Sequence, residues 1–273
     1  MKLFNIIENI ESADLNYATA AKAKWDSIAK PLGSLGLLEE VVIQICGATR
    51  SLTPDISKRT VAVFCADNGI VAEGVTQTGS EITAIVGKNL CTADTSVCEM
   101  AQVANCDVVP VDVGMLTTVD HPRMVQAAVI KGTKNFKYYP AMTREQVISA
   151  MEVGIKTAIE LVQEGYEVLI TGEMGIGNTT TSSAVGAVLL KQPAEKMTGM
   201  GAGLSATGVQ HKIKVITEAI ALHQPDSNDP IDVLSKVGGL DIAAMAGLCL
   251  GTAYCKKVVI IDGFISGIAA LIA

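Results

Sequence analysis

Short runs rich in apolar residues punctuate the chain at residues 60–66 (Thr-Val-Ala-Val-Phe-Cys-Ala), 107–114 (Asp-Val-Val-Pro-Val-Asp-Val-Gly), 166–172 (Tyr-Glu-Val-Leu-Ile-Thr-Gly) and 258–262 (Val-Val-Ile-Ile-Asp). They are too short for helices and do not alternate strictly, so they predict strands buried on both faces, as in parallel sheets. Between them lie segments with helical spacing. Residues 4–30 carry an apolar stripe through Ile7, Ile10, Leu15 and Ala18, and a Pro/Gly break at residues 30–36 separates them from a second helix over 37–51. Further helices are predicted over 81–104, 143–163, 179–190, 205–223, 232–237 and 241–254. Thr143 and Gln146 have the spacing of a capping box at the start of the helix over 143–163. Strands alternating with helices predict an α/β fold, a Rossmann-like, mainly parallel sheet flanked by helices. In such sheets ligands bind beyond the carboxyl ends of the strands, which puts Asp67, Asp112, Glu173 and Asp262 near one rim.

The richest of the strand ends is residues 172–181 (Gly-Glu-Met-Gly-Ile-Gly-Asn-Thr-Thr-Thr). Its glycines let backbone approach a ligand closely, and free N–H groups at the start of the next helix suit a phosphate. The same residues also fit a tight strand–helix turn capped by Asn178 or Thr179. No Lys precedes the hydroxyl residues and the G-x-G-x-x-G spacing is missing, so neither a Walker loop nor a dinucleotide fingerprint is present. Residues 199–203 (Gly-Met-Gly-Ala-Gly) offer a second such turn, with Gly201 and Gly203. Lys212 follows by about two helical turns, either as a cation for that turn or as part of a solvated helix face. The run ending at Asp262 faintly resembles a phosphoribosyl-diphosphate signature, but Gly263 stands where a second acid is needed to help hold magnesium.

Composition narrows the partners. The chain has 273 residues, 49% of them hydrophobic, enough for one large domain or one domain with an appendage. A net charge of −7 without a basic run excludes a nucleic-acid footprint. The seven cysteines, Cys46, Cys65, Cys91, Cys98, Cys106, Cys249 and Cys255, form no C-x-x-C pair and read as small buried residues of a reducing compartment. His121, His211 and His223 are too scattered for a zinc site. No signal peptide is recognisable, and the apolar end, residues 258–273, is too short and interrupted for a membrane span, so a cytoplasmic protein is expected.

Several segments, in order over nearly the whole chain, resemble the nicotinate-nucleotide:dimethylbenzimidazole phosphoribosyltransferases, which activate the lower base of cobalamin. They are residues 30–36 (Lys-Pro-Leu-Gly-Ser-Leu-Gly), 66–75 (Ala-Asp-Asn-Gly-Ile-Val-Ala-Glu-Gly-Val), 132–136, 142–145, the 172–180 loop, 237–245 (Val-Gly-Gly-Leu-Asp-Ile-Ala-Ala-Met) and 262–266 (Asp-Gly-Phe-Ile-Ser). The resemblance implies transfer of phosphoribosyl from nicotinate mononucleotide to a benzimidazole-type base, with no metal or cofactor. It implies a homodimer, and a small helical lobe that includes residues 1–30, beside a large α/β domain over 31–273. Glu173, Gly175, Gly177, Asn178, Thr179, Gly201, Gly203, Lys212, Asp262 and Ser266 would surround the nucleotide. Met174 and residues 76–86, including Thr78 and Ser80, would line the base pocket.

Two departures matter. Gly79-Ser80 stands where the family often has Pro-Gln or Pro-Ser, which bears on the identity of the base. Family members also continue past the position of Ala273 to a Gly-Glu-Gly-Thr-Gly motif. Its Glu is the expected general base, so the resemblance puts the main base beyond Ala273, with Glu173 in support. The sequence thus carries the expectation of a shortened, poorly turning-over chain that still binds the nucleotide. Two other readings stand beside it: a non-catalytic nucleotide-binding subunit, and a nucleotide-dependent oxidoreductase, which would need the missing fingerprint.

Overall fold

The structure, a computed structural model, describes residues 2–273. Its helices are α1 (Leu3–Glu8), α2 (Leu15–Ser27), α3 (Leu37–Thr49), α4 (Glu81–Thr92), α5 (Ser96–Val103), α6 (Arg144–Gln163), α7 (Asn178–Leu189), α8 (Ala194–Met197), α9 (Ala206–His223), α10 (Pro230–Val237), α11 (Leu240–Tyr254) and α12 (Gly263–Ile272). The strands are β1 (Arg59–Ala66), β2 (Asp107–Gly114), β3 (Val125–Gln126), β4 (Val168–Met174) and β5 (Val258–Ile260).

All strand pairs are parallel, in the order β3-β2-β1-β4-β5. The α/β architecture expected from the alternating pattern is therefore present. β1 lies at the centre, with Val63 opposite Pro110 on one side and Gly172 on the other. The chain leaves β1 toward β2 and later returns to its other side at β4. This reversal opens a crevice between the ends of β1 and β4, the usual ligand position in such sheets. Because the strands run one way, Asp67, Asp112, Glu173 and Asp262 all stand at the same rim.

Two predicted helices are each divided. The stretch 4–30 splits because the Asp14 side chain accepts a hydrogen bond from Asn16 N and starts α2 afresh. The stretch 81–104 splits because Ala93 turns left-handed (φ 62°) and Thr95 caps α5. Thr143 and Gln146 do form their capping box, with bonds of 3.2 and 2.8 Å.

Leu3 and Ile6 of α1 are buried in the main core, whereas α2 and α3 pair as a hairpin. The core's densest contact is α6 against α11. A Cβ on Gly154 would overlap Ala244 O, and one on Gly247 would overlap Met151 O, so the two backbones touch. Every residue of α11 from Leu240 to Thr252 is buried. Such an all-apolar helix is a core element, and it delivers a single acid, Asp241, to the sheet rim.

Candidate functional site

The end of β4 carries the functional residues outward. After Met174 the chain turns through Gly175, Ile176 and Gly177 (φ 92°) into α7. The loop is held from the turn after β1, where Asn68 Nδ2 donates to Ile176 O at 3.3 Å. Ile176 N donates to Thr83 Oγ1 at 3.2 Å, Asn178 N to Gly175 O at 3.0 Å and Thr180 N to Gly177 O at 2.9 Å. Several amides expected to be free for an anion are thus already used, and the loop is largely a self-supporting turn.

The cation for an anion comes from α9. Lys212 is 1% exposed, and its Nζ donates to Thr179 Oγ1 at 2.8 Å. The solvated-face alternative for Lys212 is thereby removed. Among the described residues no carboxylate pairs with it, and burial lowers its pKa to about 8. A buried, unpaired ammonium is costly unless an anion joins it. The Thr179 hydroxyl, accepting from Lys212, keeps its own hydrogen to donate. Gly201 (φ 58°) completes the place, since a Cβ there would lie 3.0 Å from Thr179 Oγ1 and 3.6 Å from Lys212 Nζ.

Three clefts meet around these groups. One of about 610 Å3 is lined by Glu173, Thr179, Lys196, Gly201, Asp262 and Phe264, among others. A smaller one, about 80 Å3, shares Thr179 and Gly201 and includes Thr78, Gly175, Gly177 and Asn178. The third, about 320 Å3, shares Glu173 and Asp262 and is walled by Val61, Val63, Val86, Leu90 and Met174, with Ser266 at its side. Glu173 and Asp262 thus line both of the larger clefts. Gly203 borders the site through its carbonyl, which accepts from Gln77 Nε2. Ser80 stands at the N-cap of α4, off the cleft walls.

The rim acids divide into two kinds. Asp112 Oδ1 accepts from Gly114 N and Met115 N at 3.0 and 2.8 Å, and Asp67 Oδ2 from Leu116 N at 2.8 Å. Both are buried turn-formers. Glu173 and Asp262 instead face the clefts. Burial raises the Glu173 carboxyl above its ordinary range, partly offset by a hydrogen bond from Asn178 Nδ2. Asp241, absent from the sequence-derived set, also accepts from Asn178 Nδ2, at 3.0 Å. Its signal was present: it is the lone acid in an apolar helix, inside one of the family-like segments.

The general base expected beyond Ala273 lies outside this sequence. Ala273 itself is the C-cap of α12, and its N–H donates to Ala269 O at 3.2 Å. It lines none of the three clefts. Within the described residues, the carboxylates that line these clefts are Glu173 and Asp262.

Five cysteines are buried and two, Cys106 and Cys255, are half-buried. Among the described residues no helix is long and apolar enough to cross a membrane, and no cluster of metal-binding side chains occurs.

Comparison with known proteins gives concordant matches. A family profile described as phosphoribosyltransferase matches residues 10–273. A nicotinate-nucleotide:dimethylbenzimidazole phosphoribosyltransferase of Acetivibrio thermocellus is 45% identical over 99% of this chain and 77% of its own. The one of Clostridium acetobutylicum is 41% identical over 100% of this chain and 78% of its own. A crystal structure of the enzyme of that name from Thermus thermophilus superposes with a TM-score of 0.89 at 33% identity, covering 95% of this chain and 77% of that one.

Proposed function

This chain belongs to the nicotinate-nucleotide:dimethylbenzimidazole phosphoribosyltransferase family, and from that membership we propose how its rim performs the transfer. The reaction moves the phosphoribosyl group of nicotinate mononucleotide to dimethylbenzimidazole or a related base, releasing nicotinate and forming α-ribazole phosphate for the nucleotide loop of cobalamin. The observation that carries the site assignment is Lys212, buried without a carboxylate and bonded to Thr179, which together with Gly201 lines the same cleft as Glu173. The 5′-phosphate of the donor sits there, held by Lys212 Nζ and the Thr179 hydroxyl, with charge-assisted bonds that are the strong kind. Its ribose extends toward Glu173, Asn178 and Asp262, with Ser266 alongside. The incoming aromatic base occupies the valine-walled cleft against Met174 and Val86, while Thr78 lines the small neighbouring cleft and Ser80 caps α4 beyond it.

The chemistry needs no metal. The bond between C1′ and the pyridinium nitrogen breaks, and nicotinate leaves with the bonding electrons, losing its ring charge. The unprotonated nitrogen of the benzimidazole attacks C1′ from the opposite face. The product's second nitrogen then gives up its proton, and Glu173, which lines both larger clefts, takes it. A carboxyl whose proton affinity is raised by burial is suited to that task. Holding both bases in line supplies several kcal/mol, on the order of 7.

Incubating the chain with nicotinate mononucleotide and dimethylbenzimidazole should yield ribazole phosphate, detected by mass. Donor binding without product would instead favour a non-catalytic subunit, and NAD binding without base transfer an oxidoreductase. We place the protein in the cytoplasm as a homodimer. Residues 1–30 would contribute to a small lobe, and the exposed Leu32, Leu35, Leu37 and Leu38 would lie where two copies meet.

The two glycine turns should respond differently to substitution. A Cβ on Gly175 would meet Ala66 O at 2.5 Å, so Gly175→Ala should destabilise the fold by about 1–3 kcal/mol. Gly201→Ala points its methyl at the anion place. It should weaken donor binding about tenfold, about 1.4 kcal/mol, with a smaller change in melting temperature. Titration calorimetry beside thermal melts separates the two, and unchanged donor affinity in Gly201→Ala would make that turn merely structural.

A further inference from the structure

Asp241 has no place in the transfer chemistry just described, yet it is built into the site. It is fully buried in the first turn of α11, and its Oδ1 accepts from Ile242 N at 3.0 Å. Its Oδ2 accepts from Asn178 Nδ2 at 3.0 Å, while the same nitrogen also donates to Glu173 Oε2. An amide nitrogen has two hydrogens, and here each goes to a different carboxylate. Bare backbone brackets the acid on both sides. A Cβ on Gly239 would lie 2.6 Å from Oδ1, and one on Gly175 2.8 Å from Oδ2.

We propose that Asp241 is a positioning residue of the transfer reaction, which holds Asn178 from behind so that the amide nitrogen, and not its oxygen, meets Glu173. The inference rests on the reading of Glu173 as the proton acceptor. The nitrogen end of the amide favours an ionised Glu173; the oxygen end favours a protonated one. Left with Glu173 alone, Asn178 has one tie to its orientation. With Asp241 it has two.

The surroundings sharpen the effect. Cys65, buried on β1, pairs in register with Met174, and Asp262 lines both clefts that Glu173 lines. Lys212 on α9 is bonded to Thr179 rather than to either acid. Burial, and then the charge of Glu173, raise Asp241 to about 7. The charge of Glu173 thus opposes ionisation of Asp241, and the two titrations influence each other.

The test is Asp241→Asn in the full chain, labelled with carboxyl-13C glutamate and aspartate. The new amide presents hydrogens to Asn178, whose oxygen then turns toward both the substituted side chain and Glu173. Losing the Asp241 charge alone would lower the Glu173 carboxyl midpoint; the turned amide outweighs this, so the midpoint, assigned by its loss in Glu173→Gln, should rise by about one pH unit, a tenfold gain in proton affinity. The acidic limb of the kcat profile should move with it, while KM for the base changes little. In the unsubstituted protein the Glu173 and Asp241 signals should each titrate in two steps, a readout that survives if the variant does not fold. Independent single-step titrations, or a Glu173 midpoint unmoved or lowered in folded Asp241→Asn, would overturn the proposal. Full activity of Glu173→Gln would instead sink the underlying reading of Glu173.

Discussion

Replacing Lys212 by methionine is expected to make the protein more stable and its catalysis poorer at once. Methionine fills a similar volume without charge, and the Thr179 hydroxyl can turn to another partner. The parent folds with Lys212 held at about 8 by burial, against an ordinary value of 10.5. Between those values the unfolded chain binds the extra proton, so this group makes stability climb as pH rises from about 8 toward 10.5, and its full cost is present below 8. The methionine variant should lose that climb and melt higher at neutral pH. Its kcat/KM should fall about 10- to 150-fold, the 1.5–3 kcal/mol of a hydrogen bond to a charged group, chiefly through the donor's KM. In the parent, donor affinity should weaken as pH passes 8, because the ammonium that meets the phosphate is lost. Melting curves across pH and steady-state kinetics decide it. A variant that melts lower, with donor KM unchanged, would remove Lys212 from the phosphate place.

Glu173→Gln carries the second large effect. Glutamine can keep an oxygen toward Asn178 Nδ2, so the loop should stand and the melting temperature should barely move. What disappears is the group that accepts a proton. A loss on the order of a hundredfold in kcat is expected, at the low end of the range for general bases, with the acidic limb of the pH profile flattened. Single-turnover measurements with saturating donor would show the loss in the chemical step. A variant that slows only product release would place Glu173 outside the chemistry.

Much of this architecture is legible in the chain because its strands are buried on both faces. The apolar run at 107–114 spans the same residues as β2, and the runs at 60–66 and 258–262 fall on β1 and β5. The capping box at Thr143 is equally plain. β3 is not, since two exposed residues, Val125 and Gln126, carry no period. The breaks after α1 and α4 are hidden because neither has a proline or glycine; they rest on Asp14 and Thr95, whose caps compete with a continuing apolar stripe. At the site, residue types are visible but their division of labour is not. Sequence spacing puts four acids on one rim, yet only the fold shows Asp67 and Asp112 tied to backbone amides and Glu173 turned to the clefts. Lys212 sits between His211 and residues of a mixed helix, a context that says nothing about burial. The glycines at 175 and 177 read as a phosphate cradle, and only the fold shows that Gly175 also packs on Ala66 and Asp241, and Gly177 on Asn68, Ile70 and Val71.

The backbone contact of α6 with α11 also bears on how new substrate preferences can arise in this scaffold. A single methyl at Gly154 or Gly247 would force the helices apart, and α11 carries Asp241 directly to the reaction centre. Change on that side of the active centre is therefore coupled to collapse of the core, and drift there is nearly closed off. The segments around Thr78 and Met200 have no such constraint; they are surface turns whose side chains border the clefts. Variation in the accepted base would accumulate on those turns, while the helix behind Glu173 stays fixed across lineages that differ in what they transfer to.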